Sequence, residues 1–308
     1  MKPCAPRNRS LRLTPEDEIR LAPQLSCLQG TASPGELIDK VYQQDLFEVL
    51  PLLPHSWVDL LILDPPYNLA KRFNGHTFEK RSVDDYSAWM RSWFEFLVPM
   101  LKPSASIYVC GDWLTSASIY PVLKEFCIVR NRITWEREKG RAAKANWKNC
   151  SEDIWLATVS GDYVFNRDAV QIKRRVMAPY RVSGRPKDWK EEEQGRFRLT
   201  HPSNFWSDIT VPFWSMPENT EHPTQKPEKL MAKLVLASSR EGGVVFDPFL
   251  GSGTTAVVCR KLGRRFVGIE MDRHYALCAL KRLEMVGQQP QIQGYRDGIF
   301  WERNALSR

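Results

Sequence analysis

The chain has 308 residues, 43% hydrophobic and 26% charged, which is the composition of a folded globular protein and excludes a disordered one. Against 36 Asp and Glu stand 44 Lys and Arg, so the formal net charge is +8 and the partner class it favours is anionic. No apolar run approaches the ~18 residues of a membrane span, and the first residues lack the apolar stretch of a secretory signal.

The 7 cysteines are odd in number and contain no CxxC pair, which predicts reduced thiols in a cytoplasmic setting. Neither they nor the 5 scattered histidines stand at metal-ligand spacing, so no metal site is expected.

In chain order, residues 1–36 contain Pro and Arg with weak periodicity and read as an N-terminal surface arm. DLFEVLPLLP then puts Leu46, Val49 and Leu50 on one helical face. VDLLILD (Val58 to Asp64) is a short apolar run of the kind buried on both faces of a parallel sheet. Asp84 is a candidate N-cap for a helix over DDYSAWMRSWFEFLVPMLK, ending before Pro103. SIYVCGD reads as a strand, followed by a helix through Val122 and Phe126 and by the strands RITWE and EDIWLATV.

The alternation lapses between 166 and 205, a stretch rich in Arg, Lys, Pro and Gly that reads as an inserted subdomain. It resumes with the helix PEKLMAKLVLASSR, the strand VVFDPF, the helix TTAVVCRKLG, the strand RRFVGIE and the helix HYALCALKRLE. Strands alternating with helices predict an α/β fold with a Rossmann-like, doubly wound mixed sheet. The expected division is an arm (1–36), a first half of the core (37–165), an insertion (166–205) and a second half of the same core (206–308).

Two turns carry chemistry. In VVFDPFLGSGTTA, Gly251 and Gly253 let the backbone approach a ligand at a helix N-terminus. Glu270 ends the next strand, about 20 residues on, where a carboxylate can accept ribose hydroxyls. With Ala256, this half alone also permits a nicotinamide-dependent oxidoreductase. The second turn, DPPYN (Asp64 to Asn68), follows a buried strand and therefore lies at the carboxyl end of the sheet. Its two prolines fix the backbone and remove donors. A carboxylate, surplus carbonyl acceptors and an aromatic ring suit a flat ligand that donates hydrogen bonds, such as the amino edge of a nucleobase.

DPPYN, FDPFLGSGTT and HPTQKPEKL, in this order, resemble the S-adenosylmethionine-dependent DNA amino-methyltransferases of the β group, over roughly Val41 to Leu283. The resemblance implies S-adenosylmethionine as cofactor, Asp64, Pro65, Pro66 and Tyr67 as the catalytic stretch, and 37–165 as a catalytic half, 166–205 as a target-recognition insertion and 206–308 as a cofactor-binding half. Phe249, Gly251, Gly253 and Thr254, with Asp247 and Ser252 beside them, would line the methionine part, and Glu270 would hold the ribose. Asp64 would also face the cofactor, Asp45 would lie near the adenine, and Thr224 and Lys226 would close over the methionine end. Gln44 stands where the family pattern has glycine before that acid.

The implied reaction is transfer of a methyl group to the exocyclic N6 of adenine in double-stranded DNA, with the target base flipped out of the duplex. Cytosine N4 and RNA are the alternative targets; Asp64, where N4-cytosine enzymes more often carry Ser, favours adenine. Tyr67 would stack on the base, and Trp135 is either a second wall or part of the core. The expected DNA contacts are Arg141, Lys144, Lys173, Arg174, Arg175, Arg181 and Arg185, with Lys148, Lys187, Arg196 and Arg198 in the same basic stretch. KRFNGHTFEK, with Gly75, is a candidate flap. The restriction–modification setting adds a cognate restriction endonuclease and a second copy of the chain as candidate partners.

Overall fold

The computed structural model describes residues 7–73, 76–137, 146–177, 179–193 and 195–302. The strands that matter are β1 (Lys40–Tyr42), β2 (Val58–Leu63), β3 (Leu101–Gly111), β4 (Ile128–Glu136), β5 (Ser151–Thr158), β6 (Ile172–Arg175), β7 (Lys190–Glu192), β8 (Gly195–Thr200), β9 (Phe205–Trp206), β10 (Val244–Asp247), β11 (Arg265–Ile269), β12 (Tyr295–Arg296) and β13 (Ile299–Trp301). The longer helices are α1 (Pro15–Leu21), α2 (Val83–Leu97), α3 (Trp113–Phe126), α4 (Glu228–Ser238), α5 (Thr254–Lys261) and α6 (Arg273–Met285).

The main sheet has the order β1-β11-β10-β2-β3-β5-β4-β9. Only β5 runs antiparallel to its neighbours; the other pairs are parallel. The unalternating run in β2 is explained by cores on both faces. Leu60 and Ile62 join the core beneath α4, α5 and α6, while Leu61 and Leu63 join the one beneath α2 and α3. The sheet is thus doubly wound and mixed, as expected. Val245 of β10 lies opposite Leu60 of β2, so the two motif-bearing halves of the chain meet at the centre of one sheet.

Several local expectations change. The N-cap of α2 is Ser82, whose hydroxyl accepts from the Asp85 N–H at 3.0 Å; Asp84 sits in the first turn instead. The helix ends at Leu97, and Pro103 falls inside β3, where the register with β2 slips between Val58 and Leu60. That irregularity spares the proline a ladder bond. Residues 7–36 lie fastened along the core: Leu11 and Leu21 are buried, and Asp17 and Arg20 of α1 pair with Lys281 and Glu284 of α6.

The stretch 166–205 supplies three strands of a second sheet, ordered β7-β8-β6-β13-β12. Its β6 pairs in parallel with β13 from the C-terminal region. This sheet covers the outer side of α4, every residue of which is buried. A helix buried all round must partner its own charges. Lys229 and Lys233 do so on Asp208 (each 2.7 Å), and Glu228 on Arg282 (2.9 Å) and Lys261 (2.7 Å).

Candidate active site

Parallel strands deliver their carboxyl ends to one edge of the sheet. Just past the ends of β1, β11 and β2, and at the last residue of β10, the chain carries Asp45, Glu270, Asp64 and Asp247. All four line one cavity of about 380 Å³, within the ~300–1,000 Å³ of small-molecule sites. Phe249, Gly251, Ser252, Thr254, Thr224, Lys226, Pro65, Pro66 and Tyr67 line it too. Both turns singled out in the sequence therefore open on the same space.

Within the glycine turn the two glycines differ. Gly251, at φ 54°, donates its N–H to Glu270 Oε2 at 2.8 Å, and the Asp272 N–H donates to Oε1 at 2.8 Å. Gly253, at φ 82°, caps α5 and does not line the cavity. A Cβ there would come within 2.5 Å of the Ala279 Cβ, so this glycine lets α5 and α6 pack closely. Thr254 is likewise occupied: its hydroxyl donates to the Lys226 carbonyl at 3.1 Å and accepts from Arg282 at 2.9 Å. This bond ties the HPTQKP segment to the glycine turn. Burial raises the carboxyls of Asp247 and Glu270 to about 7 each.

At the DPPYN turn, Asn68 locks the backbone: its own N–H donates to Thr115 Oγ1 at 2.9 Å, and its amide pairs with Arg81 at 3.0 and 2.7 Å. The Tyr86 hydroxyl donates to the Pro66 carbonyl at 2.7 Å. Among the described residues nothing donates to the Pro65 carbonyl. Lys226 Nζ donates to both oxygens of Asp64, at 2.7 and 2.6 Å. It also sits 5.2 Å from the centroid of the Tyr67 ring.

Lys226 therefore reaches the acid of DPPY itself. Burial opposes its charge, yet Asp64 and Glu152 hold the ammonium above the usual lysine range. Burial also depresses His222 to about 4, with Lys226 contributing. Its Nδ1 accepts the Thr224 N–H at 3.4 Å, and a Cβ on Gly251 would meet its Nε2 at 3.1 Å.

One site member escaped sequence reasoning. Glu152, on β5, is 4% exposed and stands beside Lys226 and Tyr67. Its only signal is that it is the first of two acids, Glu152 and Asp153, opening the apolar stretch of EDIWLATV. Trp135 belongs to the core: it is 1% exposed and its indole N–H donates to the Ile209 carbonyl at 3.1 Å. Gln44, in the place of the family's glycine, has a structural use of its own. Gln44 exchanges hydrogen bonds with the backbone of Leu28 (2.5 and 3.0 Å), holding the N-terminal segment, while Asp45 caps a short helix through the Phe47 N–H at 2.9 Å.

The basic residues expected on DNA are placed unevenly. Lys173 is paired with Glu192 and held between the rings of Phe197 and Trp301, 4.9 and 4.4 Å from their centroids. Arg174 faces Glu302 at 3.8 Å, and the Arg175 side chain packs over Gly195. Arg196 and Arg198 pair with Glu191 (3.2 Å) and Asp188 (3.4 Å). Arg181 and Arg185 are exposed, although Arg181 also lies over the Trp189 ring. Arg141, Lys144 and Gly75 lie outside the described residues.

Comparison with known proteins agrees with this geometry. The DNA methylase family model matches residues 58–281, and the chain belongs to that family. The DNA adenine methyltransferase YhdJ of Escherichia coli (strain K12) is 31% identical over 288 residues, covering 89% of this chain and 94% of that protein. The type II methyltransferase M.BglII of Bacillus subtilis is 30% identical over 79% of this chain and 68% of its own length. Among solved structures, the cytosine-N4-specific PvuII DNA methyltransferase has a TM-score of 0.58 at 17% identity, over 79% of this chain and 85% of that one. The chain is a DNA methyltransferase of the S-adenosylmethionine-dependent class that its motifs resemble, and the oxidoreductase reading of the glycine turn falls away. Among the described residues no helix is long and apolar enough to cross a membrane.

Proposed function

We propose that this protein methylates the exocyclic N6 of adenine in double-stranded DNA. The observation that carries the reading is the cavity itself: Asp64, Pro65 and Tyr67 share it with the turn from Asp247 to Thr254 and with Glu270. S-adenosylmethionine supplies a sulfonium methyl group. Its ribose hydroxyls would meet Glu270, its methionine end Thr224, Ser252 and Phe249, and its adenine the region of Asp45.

The chain's own part is positioning and electrostatics. An aromatic amino nitrogen is a poor nucleophile because its lone pair is delocalised into the ring. Hydrogen bonds from that NH₂ to the Asp64 carboxylate and the Pro65 carbonyl favour a pyramidal nitrogen with a localised pair. Tyr67 offers its face to the flipped base, since an amino group inside a duplex cannot reach the methyl. Arg181 and Arg185 would grip the duplex. The name of the Escherichia coli relative supports adenine over cytosine, and mass spectrometry of digested product nucleosides decides between N6 and N4. A cognate restriction endonuclease, a homodimer and a cytoplasmic, DNA-associated location complete the proposal.

The test is tritiated methyl transfer to unmethylated DNA. Asp64→Ala is expected to lower transfer by about 10³-fold or more while cofactor binding, measured by titration calorimetry, persists. Full activity in that variant would overturn the assigned roles.

A further inference from the structure

Neither the DPPY turn nor the glycine turn calls for an acid on the antiparallel strand β5, yet Glu152 is placed there, 4% exposed, on a strand whose following residues Ile154, Leu156 and Ala157 are core. Burying a carboxylate costs several kcal/mol unless it is paired and hydrogen-bonded. Here three donors surround it. The Tyr67 hydroxyl donates to Oε2 at 3.1 Å, Lys226 Nζ stands 3.5 Å from the same oxygen, and Arg137 pairs with Oε1. With Asp64 this makes two carboxylates against two cations, a neutral cluster that reaches the cavity through Asp64 and Lys226.

We infer that Glu152 is a positioning residue for methyl transfer, holding Tyr67 directly and Asp64 through the ammonium that Lys226 shares between the two acids. The inference rests on the roles proposed above for Asp64 and Tyr67.

Two physical consequences follow from the geometry. The hydroxyl bond to Glu152 fixes the phenol end of Tyr67 and so the plane of the ring against which a base would stack. The second concerns exchange of partners. Lys226 holds both Asp64 oxygens, at 2.7 and 2.6 Å, and an incoming amino group needs one of them. A buried ammonium gives up a bond readily only if another acceptor is in reach. Glu152 is that acceptor, so Lys226 can release one Asp64 oxygen to the substrate without being stranded. Arg137, on the outer side, keeps Glu152 ionised: burial opposes its charge, but Lys226 and Arg137 hold its carboxyl below the usual glutamate range.

The experiment uses the full chain and tritiated methyl transfer to unmethylated genomic DNA. If the wild type transfers no methyl group to DNA, the functional reading itself fails. With wild-type transfer in hand, Glu152→Gln keeps an oxygen for Tyr67 but removes the charge that attracts Lys226. It is expected to lower kcat about 10–100-fold, with cofactor Kd and the KM for DNA within about twofold of wild type. Tyr67→Phe, which removes only the hydroxyl that reaches Glu152, is expected to lower kcat by about tenfold without changing cofactor Kd.

Combined, the two substitutions should cost less than the product of their separate effects, as for residues acting on one another. A wild-type kcat in Glu152→Gln, a change confined to KM, or fully multiplicative effects would overturn the inference while leaving the methyltransferase reading intact. Should Glu152→Gln fail to fold, Tyr67→Phe and Arg137→Met carry the test. Arg137 is partly exposed, and wild-type kcat in both variants would overturn the inference equally.

Discussion

At the carboxyl edge of the main sheet, Asp64, Glu152 and Lys226 share contacts in a cluster whose members are at most 18% exposed. In the second sheet, Arg196–Glu191 and Arg198–Asp188 are pairs in which each side chain is more than 40% exposed. Both regions are dense in charge, and the two densities mean different things. Buried charge must be partnered, and removing one partner strands the other at large cost. Exposed pairs contribute little and are screened by salt. The first region is therefore organised around its charges, whereas the second spends most of its basic side chains on its own acids and rings and leaves few for DNA.

The largest expected effect breaks the buried cluster. Lys226→Met leaves Asp64 and Glu152 facing each other, and a loss of about 3–5 kcal/mol of unfolding free energy is expected, together with at least a hundredfold loss of methyl transfer. Denaturant titration and the transfer assay read the two effects; a variant as stable as the wild type would show that the cluster is solvated and that the contrast between the regions is false.

A smaller effect follows from Asp247, whose carboxyl burial raises from 3.8 to about 7. Its folded pKa lies above its unfolded one, so what it contributes to stability is complete below about pH 4 and is lost as the pH rises through 7. Asp247→Asn removes that loss and keeps an oxygen to accept the Phe249 N–H, now at 3.1 Å. The variant without ligand should exceed the wild type by about 4 kcal/mol at pH 8, an advantage that shrinks toward zero between pH 7 and pH 4. Thermal melting across that range measures it, and a pH-independent difference would count against an ionised Asp247.

The smallest effects sharpen the description of the basic insertion. Arg185→Gln should reduce the slope of log Kobs against log[salt] for DNA by about one. Lys173→Met should leave the slope unchanged, since that ammonium already has Glu192, Phe197 and Trp301 around it. Equal slopes for the two variants would mean that the Lys173 ion pair opens on DNA.

How much of this was legible beforehand varied by element. The strands β2, β10 and β11 and helices α4 to α6 could be read because period and composition are local properties of the chain. Ser82 was passed over as the α2 cap because Asp84 is an equally good capping residue by type, and only backbone geometry separates them. The insertion looked irregular because its strands are short and alternate poorly, and because β6 finds its partner β13 in the C-terminal region. Gly253 fits the ligand-binding pattern by spacing, but it meets Ala279 and not the cavity.

By itself the sequence determined the chemistry-bearing segments and their order: DPPYN, the basic insertion, HPTQKP and the glycine turn, each placed by rules of local backbone conformation. The tertiary structure decided which of their side chains touch. It put Lys226 on Asp64, Thr254 on the Lys226 carbonyl, Glu152 beneath Tyr67 and Lys173 between two rings. Those partners come from elements far apart in the chain, and what brings them together is the burial of two cores on opposite faces of one sheet, a property of the whole chain that no single segment encodes.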